Sequence, residues 1–186
     1  MQLLCETPRA WVQLAIDRFD EVLVDHAHCE KKAAAQALSM LAAFPSVPGL
    51  ARAMARLARE EAGHLGQVLG LMEKRGLLLG RDPGDPYAQR LQALVRQPAR
   101  ERLLDRLIVS ALIETRSEER LRLLAGALRD GELRQFYGRL ADAERGHGEL
   151  FVRLARGTDG FEARLEELLR AEAALVRELP SRPAIH

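Results

Sequence analysis

Two short stretches place residues able to do chemistry where a soluble helix normally keeps apolar side chains: Glu61-Ala-Gly-His64 and Glu144-Arg-Gly-His147. Around the first, Leu50, Met54, Leu57, Glu61, His64, Val68 and Leu71 recur at spacings of four and three, the register of a core-facing stripe. Leu133, Tyr137, Leu140, Glu144, His147, Phe151 and Leu154 repeat it around the second. Burying a carboxylate is costly unless something of opposite charge meets it, and a metal ion does this for carboxylate and imidazole together. One more seam glutamate stands upstream of each motif: Glu30, 31 residues before Glu61, and Glu114, 30 residues before Glu144. Glu30, Glu61, His64, Glu114, Glu144 and His147 thus match the ligand set of a carboxylate-bridged dinuclear centre, with one Glu from each of two helices and Glu-x-x-His from the other two. Its four carboxylates balance two divalent ions, whereas without metal they repel one another. Carboxylate and imidazole donors without thiolate suit iron or manganese. The competing reading, a buried network of glutamate and arginine, is disfavoured because no arginine shares the seam positions.

Neighbouring residues divide by helical register. His26 is one turn before Glu30, and Glu118 is one turn after Glu114 on the same face. Both are expected behind the ligands, hydrogen-bonded to them; Glu118 could also ligate directly. Asp25, His28 and Glu60 point elsewhere, to the surface or to helix contacts. Tyr137, two turns from Glu144, reads as core.

These residues require long helices. The Glu30–Glu61 midpoint falls at Pro45-Ser46 and the Glu114–Glu144 midpoint at Arg129, beside Asp130-Gly131, and both sites are strong turn signals. With about 15 residues on either side of each turn, at roughly 1.5 Å per residue, both partners climb about 22 Å and meet at one height. The expected architecture is all-α: a four-helix bundle of two helical hairpins, with ligand helices at about 19–43, 48–75, 98–128 and 131–156. Residues 76–98 form a long crossover with a short helix over Tyr87 to Arg96. Thr7-Pro8 reads as an N-cap and first helical residue of a bracing N-terminal helix, Phe161 to Leu179 as a C-terminal helix, and 180–186 as a frayed tail. The 186 residues, 47% hydrophobic and 4% aromatic, suit one Leu- and Ala-packed domain spanning 1–186. Cys5 and Cys29 give neither a zinc pattern nor a disulfide framework, and no stretch reaches the ~20 apolar residues of a membrane span. The expectation is a soluble cytoplasmic protein. Lys31, Lys32 and Lys74 are the only lysines, so its positive charge is overwhelmingly arginine, which matches phosphate bidentately.

The sequence resembles the ferritin-like di-iron superfamily and, more narrowly, the tRNA hydroxylases that act on isopentenylated 2-methylthio-adenosine beside the anticodon. The narrow resemblance rests on Val24-Asp-His-Ala-His-Cys-Glu-Lys-Lys-Ala-Ala34, Arg59-Glu-Glu-Ala-Gly-His64 and Glu114-Thr-Arg-Ser-Glu-Glu-Arg120. It departs from the expected Ser-Cys-Glu-Arg at Ser117-Glu-Glu-Arg120, which sets Glu118 beside the ligands. The resemblance implies an oxygen-dependent monooxygenase with two iron ions at the six positions, dioxygen as co-substrate, the tRNA anticodon loop as partner, and electrons from an external donor of ferredoxin or reductase type. It implies a monomer or small oligomer. Lys31, Lys32, Arg116 and Arg120, close in sequence to the ligands, are the expected phosphate contacts. A ferritin-like ferroxidase or iron-storage protein is the alternative, since the same six ligands serve it.

Overall fold

The computed structural model describes the backbone of residues 1–186 and all side chains except those of Ala99 and Arg100. Seven helices follow one another: α1 (Arg9–Asp17), α2 (Phe19–Ala43), α3 (Leu50–Lys74), α4 (Pro86–Gln92), α5 (Ala99–Ala127), α6 (Gly131–Ala155) and α7 (Phe161–Glu178). The all-α class and the four long helices agree with the sequence, to within two residues at each end. The chain divides into two compact units, 17–83 with 183–185, and 1–16 with 84–182 and 186.

In the first unit α2 pairs with α3 as a hairpin. Pro45 cannot continue α2, and Gly49, at φ +78°, turns the chain into α3. At its far end, α3 closes with a glycine in the left-handed region. Gly76 has φ +68°, its N–H reaches the Glu73 carbonyl, and the Leu77 N–H reaches that of Met72. These are the paired bonds of a Schellman motif, which satisfy carbonyls left open at a helix end.

In the second unit α5 pairs with α6, and α7 packs on α5 and α4. Asp130 caps α6, its carboxylate accepting the Glu132 and Leu133 N–H groups at 2.8 and 3.0 Å. From Leu107 to Leu112 α5 is buried at every position, as a helix covered on several sides must be. Gly148 lets α5 and α6 approach closely: a Cβ there would stand 3.3 Å from Thr115 Oγ1 and 3.7 Å from the Ala111 carbonyl oxygen.

Three details differ from the sequence expectation. Thr7 does not cap α1; its hydroxyl donates to Glu119 at 2.6 Å. The crossover helix stops at Gln92, because the Arg96 N–H and guanidinium are drawn to the buried Asp105 at 2.7–2.9 Å. The tail does not fray. Ile185 is buried and its N–H donates to Asp25 at 2.7 Å, while the His186 ring stacks on Tyr87 and bonds Ser117 at 2.7 Å.

Candidate metal centre

In the first unit, Glu30 projects from α2, and Glu61 and His64 from α3, each offering a ligand atom within 4.8 Å of the others. Glu30 and Glu61 are buried, and His64 Nδ1 lies 3.6 Å from one and 3.3 Å from the other. Burial by itself lowers the His64 pKa. Hydrogen bonding to Glu30 and Glu61, reinforced by their charges, outweighs that and raises it from 6.5 to about 10. The imidazole therefore carries a proton at neutral pH, placing positive charge among carboxylates where a cation fits. Behind Glu30, His26 Nε2 lies 2.7 Å from Oε1, both side chains buried, the placement expected for a residue that orients a ligand.

The second unit repeats the arrangement. Glu114 on α5 and Glu144 and His147 on α6 are buried, with ligand atoms again within 4.8 Å of one another and His147 Nδ1 3.5 Å from Glu144 Oε2. Each triad offers carboxylate oxygen and imidazole nitrogen and no sulfur, the donor chemistry of a hard or borderline divalent ion such as iron.

Other expected residues lie elsewhere. Glu118 is not behind the ligands: its carboxylate accepts from Arg145 at 2.9 Å and Arg122 at 3.1 Å, tying the outer edges of α5 and α6. Four residues advance a helix by about 40° beyond one turn, enough here to carry the side chain off the seam. Arg116 and Arg120 are not surface groups available to phosphate. Arg116 is fully buried, bonding Glu172 at 2.7 and 3.0 Å, the Cys5 carbonyl at 2.7 Å, and Glu119. Arg120 is buried over the Trp11 ring at 5.0 Å, and burial together with Arg116 pushes its guanidinium down to about 10. Lys31 and Lys32 are partly exposed and lean on one carboxylate, Asp82, at 3.2 and 3.8 Å. Asp25 and His28 are not surface residues: both are buried, His28 Nε2 meeting the Leu79 carbonyl of the crossover at 3.1 Å and Asp25 accepting the Ile185 N–H of the tail at 2.7 Å. Tyr137 is core, edge-on to Phe136.

Sequence reasoning missed the buried network of Arg116, Glu172 and Tyr87, whose hydroxyl donates to Glu172 at 2.9 Å. Burial and Glu172 together push the Tyr87 pKa well above its ordinary value. The signal was present: Leu168, Glu172 and Leu175 hold the same four-three spacing that singles out the two Glu-x-x-His seams.

Over residues 1–186 the chain matches the family model described as tRNA-(MS[2]IO[6]A)-hydroxylase (MiaE). The chain belongs to this family. A tRNA 2-(methylsulfanyl)-N(6)-isopentenyladenosine(37) hydroxylase of Pseudomonas putida is 42% identical over 90% of this chain and 82% of its own length. The hydroxylase of the same name from Salmonella typhimurium is 28% identical over 94% and 83%. Among solved structures, a Synechococcus protein described as having aldehyde deformylating oxygenase activity superposes with a TM-score of 0.94 at 38% identity, covering 100% of this chain and 96% of that one. The fold of this MiaE-family member is therefore that of the ferritin-like oxygenases, and the chain is an enzyme. No helix among its described residues is long and apolar enough to cross a membrane.

Proposed function

We propose that the protein is a non-haem di-iron monooxygenase that hydroxylates the isopentenyl group of 2-methylthio-isopentenyladenosine beside the tRNA anticodon. Residues 1–186 act as one catalytic domain, and Glu30, Glu61, His64, Glu114, Glu144 and His147 together hold two iron ions. The observation that carries this reading is the repeated triad of one Glu and one Glu-x-x-His, with all of its residues buried except the half-buried His64, in a chain that matches the hydroxylase family over residues 1–186.

Bound iron supplies the reduction of dioxygen, and the rest is the work of the chain. The four carboxylates offset the metal charge, and their burial keeps bulk water away from the donors. His26 holds Glu30 in one orientation. His64 gives up its proton when metal binds, since the same imidazole cannot serve both. The balanced reaction turns substrate C–H, one O2, two electrons and two protons into C–OH and water, so an external donor must supply the electrons. Of the four expected phosphate contacts, Lys31 and Lys32 keep that role, with Asp82 neutralising part of their charge. The protein works in the cytoplasm as a monomer or small oligomer, which leaves it open to an anticodon loop.

The test is anaerobic iron loading, a chemical reductant, oxygen, and tRNA bearing the unhydroxylated nucleoside, followed by nucleoside mass analysis. A product heavier by one oxygen atom, labelled when the gas is 18O2, is expected. Unmodified tRNA together with a shell-sized assembly that accumulates ferric mineral would instead establish iron storage.

A further inference from the structure

The outer face of α3 carries an array that the metal site does not use. Arg52, Arg56 and Arg59 lie at spacings of four and three, all exposed, along about 10 Å of one helix face. Several surface arginines elsewhere are tied to acids, as in Arg18–Glu21, Arg75–Asp20 and Arg90–Glu178. Arg52 and Arg59 form no ion pair among the described residues, and Arg56 has only a 3.6 Å contact with Glu60. Unpaired surface guanidinia pointing the same way repel one another, so the free protein is not what they stabilise. They complement an acidic partner.

The register decides which partner. Glu61 is two residues beyond Arg59, which at 100° per residue sets it on the opposite side of α3 from the arginines. A nucleotide held by these arginines would have its base on the wrong side of the helix for the ligands. Electrons need no such access: a helix with its side chains is only about 10–12 Å across, so a redox centre docked here faces the Glu61 and His64 ligands through one helix. The same face continues as Gly63, Gly66 and Gly70, where an added Cβ would meet nothing within 4 Å. A docked protein can therefore approach the α3 backbone at the height of His64.

We propose that this face of α3 is the docking surface for a small acidic one-electron carrier protein of the iron–sulfur or flavin type. Two successive visits deliver the two electrons that convert O2 and substrate C–H, with two protons, into water and C–OH. The electron-transfer role rests on the monooxygenase reading above, while the docking itself does not.

The probe is a reduced acidic [2Fe–2S] ferredoxin, titrated against the iron-loaded full chain and its Arg52→Glu/Arg56→Glu/Arg59→Glu variant, with Arg→Gln at the same sites as a milder companion. Expected are saturable binding by the wild type that weakens as salt rises, at least tenfold weaker binding by the reversed variant, and a smaller loss for the Gln variant. Affinity for tRNA, and turnover driven by dithionite, stay within twofold of wild type. Absence of wild-type binding, equal ferredoxin binding by the variants, or a loss of tRNA affinity in place of ferredoxin affinity overturns the proposal; the last would make the face an RNA surface. Failure of the wild type to hydroxylate tRNA with dithionite would count against the monooxygenase reading and would leave the binding comparison standing on its own.

Discussion

His64 holds its proton because Glu30 and Glu61 face it, and if His64 is one of the proposed ligands, metal must displace that proton to bind. The sign follows from the direction of the shift. With its folded pKa raised from 6.5 to about 10, the protonated imidazole stabilises the metal-free protein fully below about pH 6.5, and that stabilisation fades as pH rises through about 10. Metal affinity runs the other way, weakening by roughly tenfold for each pH unit lowered while His64 is protonated in the metal-free form. Titrating ferrous ion or cobalt into weakly buffered protein at pH 8 should release about one proton per chain from His64, and His64→Ala should abolish that release. Metal uptake without proton release would mean that His64 is not a ligand.

At the scale of elements, the closest contact between α5 and α6 depends on Gly148. Alanine gains up to about 1 kcal/mol of helix propensity and sets it against a 3.3 Å contact with the Thr115 hydroxyl, so Gly148→Ala should change stability by no more than about 1 kcal/mol. Leucine has no room, and Gly148→Leu should cost about 1–3 kcal/mol in denaturant unfolding. The long helices and their turns were legible in the sequence because each seam is apolar except for its few glutamates and histidines, and because Pro45 and Asp130-Gly131 interrupt the pattern at the hairpin midpoints. The two Glu and Glu-x-x-His triads proposed as ligands stood out in the sequence for the same reason: an apolar seam tolerates carboxylate and imidazole at four-three spacing only where a compensating charge meets them. Glu118 misled because spacing alone does not reveal Arg122 and Arg145 waiting on the neighbouring surface. The tail misled because a short Pro-rich segment carries no periodicity, and its order comes from Asp25, Ser117 and Tyr87, all distant in sequence.

For the molecule as a whole, the charges divide into those that bind and those that hold the fold. Arg116 belongs to the second kind, since burial works against its charge and Glu172 outweighs that, holding the guanidinium above its ordinary value. Breaking a buried pair by removing one partner typically costs about 3–5 kcal/mol, so Arg116→Glu should unfold the protein or lower its melting temperature sharply, rather than merely weaken tRNA binding. A stable, metal-replete Arg116→Glu protein in thermal melts would contradict that assignment. The metal centre should act on stability in the same direction, because ions that bind only the native state stabilise it by mass action. Iron stoichiometry tests the centre most directly, measured on protein loaded anaerobically and freed of excess metal, for wild type, Glu61→Ala and Glu144→Ala. A dinuclear centre built from both triads predicts about two iron ions per wild-type chain, with both occupancy and melting temperature lowered in each variant; one ion per wild-type chain, or unchanged iron content in either variant, would contradict it.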